Sequence, residues 1–291
     1  MKGCDNMKYF VVSDIHSHYK ELSEALNMSG YDINNENHTL IVLGDVFDRG
    51  CETKKVYKFL KSIPEDRLIL IKGNHEELYL ELLEKDFPDR SDFSNGTVKA
   101  FCEIAGFKRN RLDHFSVLAE ASVNWNAIKE KVKRSQITKW IKSDKWLDFY
   151  EVGNFILTHS FIPCVNNSGR FNYNQATWEY KEFWHYNPNW RTVAPEEVWS
   201  EARWGCPYKQ YDAGLFEEEI KKGKTLVCGH WKCSDFHEHY YPWKDIDDAD
   251  DIFYSKHLIA LDATTILSKQ VNVLVIDENF KCYNQYGKEL N

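Results

Sequence analysis

No stretch of the 291-residue chain approaches the roughly 20 consecutive apolar residues that cross a bilayer, and its start, MKGCDNMKYF, lacks the apolar centre of a secretory signal. A cytoplasmic protein with no membrane partner is expected. Excess positive charge is missing too. Lys and Arg number 37 against 45 Asp and Glu, a formal charge of -8. General nucleic-acid binding is therefore not expected, although a local basic pocket stays open. The eight cysteines (Cys4, Cys51, Cys102, Cys164, Cys206, Cys228, Cys233 and Cys282) never form a C-x-x-C pair. That argues against a zinc knuckle or a disulfide framework and for reduced, partly buried thiols. With no internal repeat and no low-complexity linker, nothing marks a boundary, and one domain over 1–291 is expected.

What the first third has is an alternation of apolar runs with helical patterns, the sequence sign of βαβ units and a largely parallel sheet. Strands are expected at Tyr9–Ser13, Thr39–Leu43 and Leu68–Ile71. The helices between them are expected at Tyr19–Met28 and Thr53–Leu60, with another starting near His75. From 87 to 146 the pattern turns helical with no clear strand and reads as an insertion that caps the sheet. Strands return at Phe155–Thr158, Thr225–Cys228, Leu258–Leu261, Val271–Ile276 and Lys281–Asn284. The acidic run DIDDADD (245–251) lacks the spacing and glycine of a calcium loop and reads as solvated.

The unusual polar residues fall directly behind these strands. SDIHSH supplies Asp14 and His16; GDVFDRG supplies Asp45, Asp48 and Arg49; KGNHEE supplies Asn74, His75 and Glu76; LTHS supplies His159; and VCGHW supplies His230. Ligands of α/β sheets bind beyond the carboxyl ends of strands, so groups remote in sequence can converge there. Converging carboxylates resist desolvation unless a multivalent cation compensates them. Carboxylate, imidazole and amide oxygen together suit two divalent ions, manganese, iron or zinc.

The ordered series D-x-H, GD-x-x-DR, GNHE, H and GH, spanning Asp14 to His230, resembles the calcineurin-like metallophosphoesterases. GDVFDRG and GNHE are most similar to the phosphoprotein phosphatase branch, including its bacterial and phage members. That resemblance implies an α/β fold of sandwich-like β-sheets flanked by helices, with the helical insertion at 87–146 set into it. It also implies two metal ions, manganese foremost. Asp14, His16 and a bridging Asp45 would hold one ion, and Asp45, Asn74, His159 and His230 the other. A hydroxide shared by the ions would attack phosphorus in line, Arg49 would hold the phosphoryl oxygens, and His75, oriented and raised in pKa by Asp48, would protonate the leaving group. The implied activity is hydrolysis of phosphomonoesters such as phosphoserine and phosphothreonine. Dinucleoside polyphosphate or phosphodiester hydrolysis, and an inactive metal-binding scaffold, are the alternatives. Ser13 and Ser17 stand where the family usually has glycine. In VWSEARWG the family's W-x-R spacing falls on Glu201, leaving Arg203 as a substrate contact or a salt-bridge partner. Asp262, in IALDA, is expected to be structural, and His18 exposed or supporting.

Overall fold

In the computed structural model of the protein, which describes residues 7–108, 112–172, 175–192, 196–243 and 248–290, the apolar runs are strands. β1 (Lys8–Val12), β2 (His38–Val42), β3 (Leu68–Ile71) and β4 (Trp146–Leu147) lie side by side in parallel. β5 (Phe149–Val152) and β6 (Phe155–Thr158) pair antiparallel, and β7 (Cys164–Asn166) and β8 (Trp184–Tyr186) form a separate ribbon. β9 (Thr225–Lys232), β10 (Phe253–Ser255), β11 (Leu258–Asp262), β12 (Leu274–Ile276) and β13 (Cys282–Tyr283) complete two larger sheets, ordered β13-β12-β1-β2-β3-β4 and β10-β11-β9-β6-β5.

Alternation with period two explains why the central strands are apolar on both faces. Val11, Ile41, Leu43 and Ile71 of the first sheet meet Leu157, Val227, Ile259 and Leu261 of the second in a core between the sheets. The intervening residues Phe10, Val12, Leu40 and Val42 face outward beneath α1 (Tyr19–Met28), α2 (Thr53–Ser62) and α3 (Asn74–Glu84). The helices α4 (Arg90–Ser94), α5 (Thr97–Ala105), α6 (His114–Lys133) and α7 (Gln136–Ile141), which fill most of 87–146, join that outer layer through Phe101, Trp125, Ile128 and Trp140. On the other side Ile156, Leu226, Cys228 and Ala260 lie under α8 (Thr177–Phe183), α9 (Glu196–Trp204) and the helix Cys233–Tyr240. Two sheets flanked by helices is the α/β arrangement expected.

The first third of the chain gives the parallel neighbours β1, β2 and β3 expected of it, and the later strands make both sheets mixed. β12 and β13 run antiparallel at one edge of the first sheet, and β5 and β10 do so at the edges of the second. No helix among the described residues is long and apolar enough to cross a membrane. Seven cysteines are free thiols, six buried and Cys51 half-buried; Cys4 lies outside the described residues, as do 245–247 of the acidic run.

Far from the strand ends, the second helical layer is tied by a buried carboxylate. Glu219 accepts from Arg191 Nη1 and Nη2 at 2.9 and 2.8 Å, Tyr186 Oη at 2.5 Å, Lys222 Nζ at 3.0 Å and Trp190 Nε1 at 3.2 Å. Burial pushes this carboxyl up, but the hydrogen bonds, Arg191 foremost, overcome it and hold it far below its ordinary value of 4.5. A depressed carboxyl stabilises the fold above its unfolded pKa, and that contribution is lost as pH falls through the folded value. Glu219→Gln is expected to cost about 3 kcal/mol at pH 7. The gap to wild type should shrink below pH 4.5 in urea melts; a gap independent of pH would contradict this.

Candidate active site

β1, β2 and β3 run parallel, as do β6, β9 and β11, so their carboxyl ends open on one edge where the two sheets meet. The loops there are tightly turned. Ten described residues other than glycine have positive φ, and seven of them are Asp14, His16, Ser17, Asp45, Asp48, Arg49 and His230. Such conformations cost on the order of 1–3 kcal/mol each and persist only where surrounding contacts dictate them. Gly44 (φ 86°) is required for close approach, since a Cβ there would lie 2.5 Å from Gly73 Cα and 2.8 Å from His159 Nδ1. Glu76, buried on the first turn of α3, accepts from the backbone N–H groups of Asp45 (2.9 Å), Val46 (3.0 Å) and Gly73 (2.8 Å) and so clamps the β2 and β3 loops together.

The two sheets are stitched at the site by side chains the sequence singled out. His159, on the second sheet, donates from Nδ1 to the Leu43 carbonyl of the first at 2.6 Å. The N–H of His230 donates to Asp14 Oδ2 at 2.9 Å, and the Ser13 hydroxyl donates to the same oxygen. Asp45 sits at the centre. Its Oδ1 is 3.4 Å from His159 Nε2, and its Oδ2 is 3.7 Å from His16 Nε2 and 3.8 Å from His75 Nε2.

The donor set fits cations. With Nδ1–H spent on a carbonyl, His159 Nε2 carries a lone pair, yet it faces Asn74 Oδ1 at 2.9 Å and Asp45 Oδ1 at 3.4 Å, acceptors also. His16 repeats the pattern: Nδ1 donates to the Phe47 carbonyl at 3.0 Å, and the buried Nε2, with no hydrogen-bond partner among the described residues, lies 3.9 Å from Asp14 Oδ1. A ring nitrogen anchored on a carbonyl, with its opposite lone pair aimed at carboxylates, is how a metal-binding histidine is oriented. Two groups, His16/Asp45/His75 and Asp45/His159/His230, each bring their ligand atoms within 4.8 Å of one another, and they share Asp45. Burial, then the charge of Asp45, pushes Asp14 up to about 6, and burial pushes Asp45 up to about 7. It takes His16 and His230 well below 6.5. These are carboxylates that would be relieved by positive charge and imidazoles that keep their lone pairs.

Beside this centre, His75 Nδ1 meets Asp48 Oδ2 at 2.8 Å, and His75 Nε2 lies 3.3 Å from Arg49 Nη2. The expectation that Asp48 raises the imidazole is corrected. Burial dominates and takes His75 down to about 4, with Arg49 adding to the effect against the pull of Asp45, while burial lifts Asp48 to about 7. Nδ1 is thus held by the Asp48 carboxyl, while Nε2 faces the Arg49 guanidinium and, at 3.8 Å, Asp45 Oδ2.

Arg203 is placed differently from the others. Its buried guanidinium pairs with Glu77, Asp148 and, at 2.9 Å, Glu196, which locks α9 onto α3. Asp262 is buried and accepts from the Thr264 N–H at 2.7 Å. Half-buried His18 reaches the Ile15 carbonyl at 3.3 Å. Sequence reading grouped Glu76 with the ligand-type side chains behind β3; the structure turns it to backbone N–H groups instead, a role the Gly-x-x-Glu spacing of a helix start could have signalled.

The sequence profile of calcineurin-like phosphoesterases matches residues 7–234. The chain belongs to that family. Its members use divalent metals, in keeping with the His and Asp groups above. This phosphoesterase is 36% identical over 70 residues to a symmetrical bis(5'-nucleosyl)-tetraphosphatase of Proteus mirabilis, covering 24% of each chain. It is 34% identical over 116 residues to the asymmetrical bis(5'-nucleosyl)-tetraphosphatase PrpE of Oceanobacillus iheyensis, 37% of this chain and 46% of that one. The alignments thus span less than half of either relative. The crystal structure of a cold-active protein-tyrosine phosphatase of a psychrophilic Shewanella shares the fold at 15% identity, with a TM-score of 0.57 over 98% of this chain and 80% of the other.

Proposed function

We propose that this phosphoesterase hydrolyses phosphomonoesters, phosphoserine and phosphothreonine among them, with two divalent ions held at the sheet junction. Asp14, His16 and Asp45 hold one ion; Asp45, Asn74, His159 and His230 hold the other. Bound there, the ions supply positive charge to the phosphoryl oxygens and acidify water for in-line attack, a role open to manganese first and to iron or zinc. Arg49 grips the phosphoryl oxygens with its planar, bidentate guanidinium. His75 donates from Nε2 to the leaving oxygen while Asp48 holds Nδ1. Arg203, occupied by three carboxylates, is assigned to anchoring α9 rather than to the phosphate.

The observation that carries this reading is that His159 Nε2, left a lone pair by its Nδ1 contact to the Leu43 carbonyl, lies 2.9 Å from Asn74 Oδ1 and 3.4 Å from Asp45 Oδ1. A second reading, hydrolysis of dinucleoside polyphosphates, is favoured by the names of the two curated relatives. A substrate panel under manganese separates them: p-nitrophenyl phosphate, a phosphoserine peptide and a dinucleoside tetraphosphate. Turnover of the first two with the third slow supports the leading reading. Preference for the tetraphosphate replaces it with the second, and no turnover by folded, metal-loaded protein would leave a binding scaffold.

A further inference from the structure

The turn that carries Asp48 and Arg49 is held from outside itself. Both residues adopt left-handed backbone (φ 71° and 51°), so the turn depends on its contacts. The β1 loop supplies some of them, Gly50 N–H donating to the His16 carbonyl at 2.9 Å, and α5, in the helical stretch between 87 and 146, supplies those to Asp48 and Arg49 themselves. Thr97, the first residue of α5 and fully buried, donates from Oγ1 to Asp48 Oδ2 at 2.7 Å, the oxygen that also meets His75 Nδ1 at 2.8 Å. Lys99 Nζ donates to the Arg49 carbonyl at 2.9 Å. Gly96 passes so close that a Cβ there would stand 2.5 Å from the Arg49 nitrogen. One turn on, Glu103 accepts from the N–H groups of Thr53 and Lys54 at 3.0 and 3.2 Å, pinning the start of α2 just beyond the turn. The other oxygen of Asp48, Oδ1, is buried and has no hydrogen-bond partner among the described residues. The carboxyl is therefore oriented by one hydroxyl and one imidazole.

We infer that Thr97 is a positioning residue for proton donation: its hydroxyl fixes the Asp48 carboxyl, which aims the His75 ring at the leaving oxygen, and the helical insertion serves to deliver that hydroxyl. The inference rests on the proposed role of His75. In that step water, having released one proton to solvent, bonds through its oxygen to phosphorus, the bond from phosphorus to the leaving oxygen breaks, and that oxygen takes the proton from His75 Nε2, which solvent then replaces. Without the Thr97 hydroxyl, the Asp48 carboxyl can turn its unpartnered oxygen toward the ring, and the ring loses its fixed direction. The loss then scales with how much the leaving group needs a proton, which a purely structural role for Thr97 would not produce.

The test compares Thr97→Val, which keeps the shape and removes the hydroxyl, with Thr97→Ser, which restores it. For the valine variant kcat on an alkyl phosphate is expected to fall about tenfold or more. On p-nitrophenyl phosphate, whose leaving group departs unprotonated, kcat should be nearly unchanged; KM should hold on both, and serine should recover the wild-type rates. Equal losses on both substrates, or none on either, would overturn the inference. The same contact can be followed without turnover through the proton resonance of His75 Nδ1. That signal is expected to shift in Thr97→Val and return in Thr97→Ser, and an unmoved resonance would also overturn it. If the wild-type protein hydrolyses neither ester, the proposed function fails, and the resonance alone decides the role of Thr97.

Discussion

Asp45→Asn is expected to abolish binding of the ion pair and to lower kcat by roughly a thousandfold or more, the scale of losing a metal that stabilises the transition state. The two oxygens of Asp45 face opposite groups, Oδ1 toward His159 and Oδ2 toward His16. An amide leaves one oxygen and one N–H₂, so at most one side keeps an acceptor. Elemental analysis checks the first part, and two ions per chain in the variant would remove Asp45 from the bridging role. The metal-free proteins offer a separate check. Burial first, opposed by His75, leaves the Asp45 carboxyl raised from 3.8 to about 7. A raised carboxyl stabilises the fold fully below its unfolded pKa and loses that contribution as pH rises through the folded value. Metal-free Asp45→Asn should therefore melt above metal-free wild type at pH 8, with the difference closing as the pH falls toward 3.8. Parallel melting curves at all pH values would contradict the buried-charge argument.

His75→Asn is expected to keep both ions and to lose about a hundredfold to ten-thousandfold in kcat with alkyl phosphates. The loss should be much smaller with p-nitrophenyl phosphate. Geometry gives His75 two available roles, since its Nε2 lies within reach of Asp45 as well as beside Arg49. Its Nδ1 contact to Asp48 suits a donor held in place. A variant that binds one ion fewer would make His75 a ligand, and an unchanged rate with alkyl phosphates would remove it from proton donation.

Much of this centre was legible before any coordinates. The runs that became β1, β2, β3, β6, β9 and β11 are apolar on both faces because each lies between a second sheet and a helical layer, so they stand out as short uninterrupted runs. The polar residues behind them stand out for the same reason. Shorter strands were not legible. β5 reads FYEV and places Glu151 in an ion pair with Lys224 at 2.6 Å, so its alternation is weak. β7 and β10 are three residues each, too short for periodicity to show.

Within the site, the limits of sequence reading follow from distance along the chain. Thr97 bonds a carboxylate 49 positions away, and nothing local in NGTVKAF signals it. Besides Glu196 on its own helix, Arg203 meets Glu77 and Asp148 from two other segments, which no spacing rule around VWSEARWG could supply. The Asp48–His75 contact could be expected from the motif pair, but its electrostatics could not. Sequence shows that the partners exist and not that both are buried, and burial outweighs the partner's charge.

Titration of metal-free wild-type protein with manganese, followed by electron paramagnetic resonance, tests the shared centre most directly. Two ions per chain with the spectrum of an exchange-coupled pair are expected, because one carboxylate joins them. A single ion per chain, or two that behave as isolated manganese, would mean that Asp45 does not bridge and that the proposed chemistry is wrong.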